Sequence, residues 1–571
     1  MKYKLIENDT IYDHDSKPSK RILFTRGIND PDKYINLDDN CLYDYSLLNN
    51  IDRAVKCCLE HINNQDDIAI VVDPDADGQC SAAVLYQYLK ELFPKISLIT
   101  LFHTKKQHGI DDINVPNNIK LLLVPDAGSN DVEKSKQLSE LGISLIYLDH
   151  HEKSCENPYA IIVNPKWDNY PNKELSGCAV VYKFLQAMDN ELWENKADKY
   201  LDLVALSLIS DSMDLKSYET KRLVDKGLSN IKNKLFIALI NKQEYSIGGE
   251  VTIQNIQFYL SPLVNGMIRS AGAEEKAMMF RAFCQIDEWF DYQKRGETEI
   301  VKEDIYTRTA RIATNSKAKQ NREIDKSLEV VKKDIEKYKW DNNKILFVKV
   351  DDLDSSYTGL VSMRLASQYS KPCVLIRETS WKPGYLGGSA RNIDNSPIEN
   401  LKDFLWNTGM FSMCQGHQSA FGVELKIENI KGIISKTNDL LKDTSFEKVY
   451  AVDFEMLQEY VTIDFVQEID KMKGLWGQGI SEPLILVENI KLNTKDIKLM
   501  GKENDTFKFE LNDENVVAIK FKCNENDKIL EMIKGDWGAK DFEITAVGKV
   551  SLSNFNGIIT PQFVIIDYNL V

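Results

Sequence analysis

Short apolar runs, most of them ending in acidic side chains, are the feature that most constrains the fold of this chain. They are Ile68–Val72, Leu121–Val124, Ser144–Leu148 and Ala160–Val163. Segments long enough for crossover helices, Ala82–Leu92 and Val132–Leu141, separate the first three runs. Short buried strands that alternate with helices are typical of a parallel sheet covered by helices. The sequence therefore predicts an α/β fold built on such a sheet.

The rest of the chain changes pattern at several points. Helical patterns dominate from 177 to about 285, and residues 301–340 predict one long polar helix. A second α/β pattern follows, in which we expect a glycine-rich turn at Gly387–Gly388. Beyond about residue 478, short alternating runs bounded by Asn, Asp and Gly predict a small β-barrel of five or so strands.

These changes divide the chain into five parts. They are an N-terminal extension (1–65), a first α/β domain (66–300), a connecting helix (301–340), a second α/β domain (341–445), and a linker with the barrel (446–571). Hydrophobic residues make up 43% and charged residues 28% of the chain, which argues against a chain disordered throughout.

The net charge limits how this chain could bind a polyanion. Its 71 Lys and Arg residues against 87 Asp and Glu residues give −16, so nucleic acid would have to bind at local basic patches. One candidate patch lies on the long helix, where five basic residues occur without an acid: Arg308, Arg311, Lys317, Lys319 and Arg322. This stretch is either the solvated face of a linker or a face presented to a polyanion.

The compartment is predicted from what the sequence lacks. It contains no apolar run of 18 residues and no apolar signal-peptide core near Met1, so we expect no membrane attachment. Ten cysteines are scattered without CxxC spacing, which argues against a zinc ribbon or a disulfide framework. We therefore expect a cytoplasmic protein, and we expect it to be a monomer.

The sharpest local motif is the run from Asp73 through Asp75 and Asp77 to Gly78. It resembles the start of an EF-hand loop, but Val84 stands where that loop requires Glu, and an apolar strand precedes it instead of a helix. A carboxylate cluster at the carboxyl end of a parallel strand fits better, because that edge is where such sheets place their sites.

Three further segments carry similar chemistry at the end of an apolar run. They provide Asp126, then Asp149, His150 and His151, and finally Asp211. Carboxylates and imidazoles without thiolates favour Mn²⁺ or Mg²⁺ over structural zinc. Several carboxylates in one space repel unless cations neutralise them, and two bridged ions would also generate a hydroxide nucleophile for a phosphodiester.

In order, the motifs DPDADG, PDAGS, DHH and SD resemble the four motifs of the DHH phosphoesterase superfamily. Three further segments resemble RecJ nucleases: Asn164-Pro165 with Ser176-Gly177, Pro262–Arg269, and Gly474–Gly479 with Glu482-Pro483, the last at the entry to the RecJ barrel, near whose end Asn554–Gly557 falls. Gly388–Arg391 and Gly416–Gly422 resemble the substrate-binding motifs of the DHH-associated C-terminal domain. The resemblance covers roughly residues 65 to 571 and implies a DHH domain, a DHH-associated domain and an oligonucleotide-binding (OB) barrel.

The resemblance also implies roles for individual residues. Two Mn²⁺ ions, or Mg²⁺ in their place, would be held by Asp75, Asp77, Asp126, His150 and Asp211. Asp73 and His151 would be catalytic, the first by positioning the ligands and the second by contacting the scissile phosphate or the attacking water. Substrate phosphates would be bound by Arg269, Ser389, Arg391, Gly416 and His417.

Three positions depart from the pattern of these relatives. Val71 stands where many of them place a metal-binding histidine, four residues before Asp75, so the first metal is one ligand poorer and another group must fill in. Gln415 replaces the first Gly of a Gly-Gly-His motif, and Leu263 stands where Arg is expected. These departures affect ligation and DNA contacts more than the reaction type.

The resemblance implies a 5′ to 3′ exonuclease that acts on single-stranded DNA in repair and recombination. A helicase or a single-strand-binding protein is a candidate partner. Two other functions stay open: a DHH phosphodiesterase of short oligonucleotides or cyclic dinucleotides, and a non-catalytic replication scaffold. The barrel and long helix argue against the first, and the intact carboxylate motifs argue against the second.

Overall fold

The structure is a computed structural model that describes residues 1–6, 17–103, 108–351, 353–379, 382–393, 396–523, 527–535, 539–555 and 557–571. The chain forms two compact units. The larger unit comprises residues 5–317 and 452–571, and the smaller unit comprises residues 1–4 and 318–451. Asn556, within a motif quoted above, lies outside the described residues. In the part of the chain described here, no helix has the length and apolar character needed to cross a membrane.

The N-terminal elements are strand β1 (Lys2–Leu5) and helices α1 (Pro18–Thr25), α2 (Pro31–Ile35) and α3 (Ile51–Asn63). Helix α3 buries Ala54, Val55, Cys58 and Ile62, which recur at helical spacing. This apolar face packs α3 against the sheet that follows, so the supposed extension contributes to the core of the larger unit.

The central sheet of the larger unit has five parallel strands in the order β3-β2-β4-β5-β6. Its elements are β2 (Asp67–Val72), α4 (Ala76–Leu92), β3 (Leu98–Phe102), β4 (Ile119–Pro125), α5 (Val132–Glu140), β5 (Ser144–Leu148) and β6 (Ile161–Val163). Along β2, Ile70 and Val72 enter one buried cluster while Val71 enters the other. Burial on both faces explains the continuous apolar runs and confirms the predicted parallel sheet.

A helical layer follows the sheet. It contains α6 (Gly177–Leu192), α7 (Leu201–Ser210), α8 (Tyr218–Leu228), α9 (Lys234–Lys242), α10 (Glu244–Ile247), α11 (Ile253–Asn255), α12 (Ser261–Ser270) and α13 (Ala273–Phe283). The hairpin of β7 (Trp289–Gln293) and β8 (Ile300–Asp304) leads into the long helix α14 (Ile305–Tyr338), and the unit boundary falls within α14. Helix α7 is buried from Leu201 to Ile209 and brings its C-terminal end to the sheet edge that carries the polar residues.

The smaller unit is built on a mixed sheet in the order β12-β13-β11-β10-β9. Its elements are β9 (Leu346–Lys349), α15 (Thr358–Tyr369), β10 (Cys373–Glu378), β11 (Tyr385–Arg391), α16 (Leu401–Trp406), β12 (Phe411–Gly416), β13 (Ala420–Lys426), α17 (Ile430–Leu440) and β14 (Val449–Val452). The predicted turn at Gly387–Gly388 is wrong, because both glycines lie inside β11. Gly388 is needed there because a Cβ would collide with the carbonyl oxygen of Leu375 on β10.

The C-terminal region returns to the larger unit as a seven-stranded sheet in the order β15-β16-β20-β21-β19-β18-β17. Its elements are β15 (Phe454–Leu457), α18 (Ile463–Asp470), β16 (Ile485–Asn493), β17 (Lys498–Met500), β18 (Thr506–Glu510), β19 (Val517–Lys520), α19 (Lys528–Lys534), β20 (Asp541–Phe555) and β21 (Ile558–Leu570). Its core is continuous with that of the first domain. The amide of Leu215 donates to the carbonyl of Gln478 at 3.0 Å, which ties the region to the helical layer.

Candidate metal centre

The ends of strands β2, β4 and β5 bring polar side chains to one edge of the parallel sheet, and the end of α7 adds another. Seven residues predicted from the sequence lie at this edge: Asp73, Asp75, Asp77, Asp126, His150, His151 and Asp211. They fall into groups whose ligand atoms lie within 4.8 Å of one another, a spacing at which one cation could be shared.

Two of these groups share His150: one consists of Asp77, His150 and Asp211, and the other of Asp126, His150 and His151. We call His150 and the three carboxylates around its Nε2 atom, those of Asp77, Asp126 and Asp211, the deep cluster. The Nε2 atom of His150 lies 3.2 Å from Oδ1 of Asp126, 3.5 Å from Oδ2 of Asp211 and 3.7 Å from Oδ2 of Asp77. Asp77, Asp126 and His150 are buried, whereas Asp211 is partly exposed. His150 is therefore the centre around which the three carboxylates are arranged.

Asp77 is fixed by the start of another helix. The backbone amides of Gly177 and Cys178, at the beginning of α6, donate to its two carboxylate oxygens at 2.7 and 2.9 Å. The hydroxyls of Ser207 and Ser81 donate to Oδ1 at 2.5 and 3.1 Å. A helix N-terminus favours an acidic group, and these four donors fix the position of the Asp77 side chain.

Asp126 adopts an unusual backbone conformation. Its φ angle is +65°, and its amide donates to the carbonyl of Leu148 at 2.8 Å. Such a conformation costs a non-glycine residue free energy and tends to persist where it orients a functional group. Gly177 makes room for it, since a Cβ at residue 177 would lie 2.5 Å from Oδ1 of Asp126.

The remaining group, which we call the rim cluster, consists of Asp73, Asp75 and His108. The Nδ1 atom of His108 lies 2.5 Å from Oδ2 of Asp73. Asp75 caps α4 by accepting a hydrogen bond from the amide of Gly78 at 2.9 Å. The structure therefore separates Asp75 from the other predicted metal ligands and pairs it with Asp73 and a histidine that the sequence analysis did not identify.

Asp149 and His151 form a pair beside the deep cluster. The Nδ1–H of His151 donates to Oδ1 of Asp149 at 2.8 Å, and the amides of His150 and Ser129 also donate to this carboxylate. Burial opposes ionisation of Asp149, but the charge of His151 and these hydrogen bonds hold its pKa well below the usual range. Burial would lower the pKa of His151, yet Asp149 raises it to about 10, so the imidazole is protonated at neutral pH.

The other carboxyl groups of the site are both buried and close to one another, and both conditions disfavour their ionised form. Burial and the neighbouring Asp77 and Asp75 raise the pKa of Asp126 and of Asp211 well above the usual range. Burial and Asp73 raise the pKa of Asp75 to about 6. Carboxylates that disfavour each other's charge in one buried space are stabilised by a bound cation.

The chemistry of the donors fits a hard divalent cation. Among the described residues, Oδ1 of Asp126 is buried and has no hydrogen-bond partner, which leaves a ligand atom available. Burial lowers the pKa of His150 to about 4, so its imidazole is neutral and can donate a lone pair. Carboxylate oxygens with neutral imidazole suit Mn²⁺ or Mg²⁺, so these residues could hold such an ion.

The other predicted site residues are on other elements of the two units. Arg269 is in the last turn of α12 in the larger unit. Ser389 and Arg391 are on β11 of the smaller unit, where the hydroxyl of Ser389 lies 2.9 Å from that of Thr358 at the start of α15. Gly416 ends β12 with a φ of +131°, and the exposed His417 begins the turn to β13.

The basic stretch of α14 does not form a uniformly open face. Arg311 makes two hydrogen bonds to the carboxylate of Glu303, at 2.9 and 2.6 Å, and lies over the ring of Tyr292. The guanidinium of Arg308 lies 4.5 Å from the ring centre of Phe290. Both arginines therefore contact the β7–β8 hairpin, which favours the linker interpretation for this part of the helix.

Two histidines near the site, His103 and His108, were not predicted from the sequence, although a signal exists for the first of them. His103 directly follows β3, and His108 lies five residues further along. The run Leu98–Phe102 is a short apolar strand of the same type as the others, so the rule that strand ends carry the site would have indicated His103. Nothing comparable marks His108, because it belongs to a turn.

The chain is similar to known proteins along its whole length. The DHH family, N-terminal domain, matches residues 67–208, and the RecJ OB domain matches residues 452–567. A putative SPbeta prophage-derived single-strand DNA-specific exonuclease of Bacillus subtilis is 37% identical across all of this chain and 98% of its own length. The single-stranded-DNA-specific exonuclease RecJ of Bacillus subtilis is 25% identical across 94% of this chain and 65% of its own length.

A solved structure shares the fold. The crystal structure of Thermus thermophilus RecJ in complex with Mn²⁺ matches 97% of this chain and 76% of that chain, with a TM-score of 0.72 and 16% identity. The same protein in complex with Mg²⁺ matches 97% of this chain and 74% of that chain, with a TM-score of 0.67 and 16% identity.

Proposed function

The chain belongs to the RecJ-like family of single-strand-DNA-specific exonucleases within the DHH superfamily, and we propose that it hydrolyses single-stranded DNA with the help of divalent cations. The observation that carries the proposal is the deep cluster, in which elements distant in sequence bring three carboxylates and one neutral imidazole within ligand distance. The relatives named above are DNA exonucleases, which gives the substrate class.

We propose that two cations bind, one at each cluster, and that Mn²⁺ is the preferred ion with Mg²⁺ as a substitute. Asp77, Asp126, His150 and Asp211 would hold one ion, and Asp73 and Asp75 would hold the other. Asp126 would help to hold both ions, because burial and the nearby charges of Asp77 and Asp75 raise the pKa of its carboxyl group well above the usual range. When bound, such a pair of ions supplies Lewis-acid activation of a water molecule and charge stabilisation for a phosphodiester.

The chain's own groups complete the site. His151 is protonated and half-exposed, with its Nδ1–H engaged by Asp149, so its Nε2–H is free to be donated to an oxygen of the scissile phosphate. Asp149 fixes the ring and keeps it charged. The indole of Trp167 and the amide side chain of Asn164 donate to the carbonyl of His151, each at 3.0 Å, and so hold its backbone in place.

The smaller unit contains a candidate phosphate site. The side chains of Ser389 and Arg391 lie at the start of α15, a helix of 12 residues, where a Cβ on Gly359 would collide with the guanidinium of Arg391. A helix N-terminus beside a guanidinium favours a phosphate group. We propose that Ser389, Arg391, Gly416 and His417 bind the DNA backbone there, and that Arg269 does so in the larger unit.

The C-terminal sheet gives this chain a surface for longer strands. OB domains hold extended single strands through stacking and basic grooves. A substrate bound in this way must be single-stranded, so we propose that the enzyme acts where a duplex has been unwound. We propose 5′ to 3′ polarity, a role in repair and recombination, and supply of the strand by a helicase or a single-strand-binding protein. A monomer in the cytoplasm is the form in which we expect the enzyme to act.

The test uses single strands labelled at either end, with Mn²⁺ or with a chelator, and the full-length protein. We expect mononucleotides from the 5′ end with Mn²⁺ and no hydrolysis with chelator. Hydrolysis confined to dinucleotides would identify a short-oligonucleotide phosphodiesterase instead. Single-strand binding without any hydrolysis would identify a scaffold, and hydrolysis undiminished by chelator would contradict the metal mechanism.

A further inference from the structure

Val71 stands where related sequences have a metal-binding histidine, and the rim cluster contains an imidazole that could replace it. Resting on the metal-dependent function proposed above, we propose that His108 is the imidazole ligand of the rim cation, together with Asp73 and Asp75. The ligand then arrives from the turn after β3 instead of from β2 itself. Residue 71 can be apolar because His108, from a different segment, supplies the imidazole ligand.

The position of His108 supports a ligand role. Its ring nitrogen and the carboxylate oxygens of Asp73 and Asp75 lie within 4.8 Å of one another. The Nδ1 atom already contacts Oδ2 of Asp73, while about half of the side chain is open to solvent. One imidazole with two carboxylates repeats the donor chemistry of the deep cluster and suits the same class of ion.

The backbone beside His108 is built to hold it there. The amide of Gly109 donates to Oδ1 of Asp73 at 3.3 Å, and the amide of Ile110 donates to Oδ2 of Asp131 at 2.6 Å. Gly109 has a φ of +88°, and a Cβ at this position would collide with the Asp131 carboxylate. Only glycine fits this turn without strain, so the turn fixes the imidazole over Asp73.

The turn also packs on the face of the sheet to which Val71 points. Val71 is fully buried in an apolar cluster, and Ile110 and Ile113 belong to the same cluster. The segment that carries His108 is therefore anchored in the same apolar cluster as Val71.

A second imidazole gives independent support. The side chain of His103 is buried, and its Nδ1 atom lies 2.7 Å from Oδ1 of Asp112. Its Nε2 atom has no hydrogen-bond partner among the described residues and lies 3.6 Å from Oδ1 of Asp73. A buried polar atom without a partner needs a further group to bind, so His103 adds a second imidazole nitrogen directed at the rim cluster.

The experiment measures Mn²⁺ binding directly, by isothermal titration and by the loss of the free Mn²⁺ electron paramagnetic resonance signal. We expect two ions per wild-type chain, and in His108→Ala one site weakened by about ten- to hundredfold, as ligand-shell changes typically do. His61→Ala is the control, because His61 also contacts a carboxylate, Asp66, but lies outside both clusters. Circular dichroism melts check that each variant is folded.

A second pair of variants separates ligation from folding. Gly109→Ala keeps the imidazole but displaces the turn, so it should weaken the same site. Val71→His in the His108→Ala background should restore the second ion. Unchanged two-site binding in His108→Ala would overturn the proposal, and failure of a folded double variant to regain the ion would show that residues 71 and 108 are not equivalent. Absence of Mn²⁺ binding by wild-type protein would instead contradict the proposed metal centre itself.

Discussion

The deep cluster and the rim cluster use the same donor chemistry but are built differently. Residues of the deep cluster are positioned by β4, β5 and two helix ends, and backbone amides or serine hydroxyls hold Asp77. In the rim cluster, Asp73 and Asp75 follow β2, but the imidazole of His108 comes from a glycine-containing turn and is half-exposed. The centre therefore has a half made by regular elements and a half completed by a loop.

This difference indicates in which of the two clusters a metal ligand could be supplied by a different segment of the chain. In the deep cluster, a Cβ atom at Gly177 would press on Asp126, so α6 and the end of β4 already approach as closely as they can. A ligand there cannot come from another segment without moving a helix or strand. The rim is open to solvent, and a turn of a few residues can place an imidazole where a strand residue lacks one.

The largest effect is expected from the deep cluster. Asp126→Asn removes the charge with little change in size, and we expect the hydrolysis rate to fall by more than about 100-fold, above the range typical of groups outside the ligand shell. Asp202→Asn is the matched control, since Asp202 is also a buried carboxylate but binds backbone amides at the far end of α7. A rate above one-tenth of wild type, measured at saturating Mn²⁺, would contradict the role of Asp126.

Metal binding should increase the free energy of unfolding, and the two clusters should contribute to this increase by different amounts. Mn²⁺ at 100 times its dissociation constant should stabilise the folded wild-type protein by about 2.7 kcal/mol for each bound ion, relative to chelator. The physical reason is that the ion binds only the folded arrangement of repelling carboxylates. Urea unfolding of wild type, Asp126→Asn and His108→Ala measures this, and we expect Asp126→Asn to lose more of the stabilisation. Equal losses in both variants would remove the distinction between the clusters.

Gly177→Ala tests the close approach that defines the deep cluster. The added methyl would contact Asp126, so we expect a loss of about 1–3 kcal/mol in the free energy of unfolding, as for other overpacked positions. Displacement of Asp126 should also lower the hydrolysis rate by about tenfold or more. Gly474→Ala is the control, because a Cβ there has no atom within 4 Å. Equal rates for the two alanine variants would show that the deep cluster tolerates the shift.

Sequence reasoning found most of the deep cluster for a physical reason. The apolar runs before Asp126 and Asp149 specify buried parallel strands, and parallel strands end at one edge, so adjacency in space follows from the pattern. It did not find His108, because a turn is specified by Gly109, Asp131 and the packing of Ile110, which have no periodic signature. The misplaced turn at Gly387–Gly388 has the same origin, since a glycine needed for close strand contact looks identical in sequence to a turn glycine.

The smallest effect is expected at Asp112, which acts on the rim cluster only through His103. Asp112→Ala removes the carboxylate whose Oδ1 lies 2.7 Å from Nδ1 of His103, so the ring loses its fixed orientation toward Asp73. We expect the weaker Mn²⁺ dissociation constant to rise by up to about tenfold while kcat at saturating Mn²⁺ is unchanged. A purely structural role for Asp112 would lower stability without changing metal affinity. An equal change at both metal sites would show that the two clusters are not built independently.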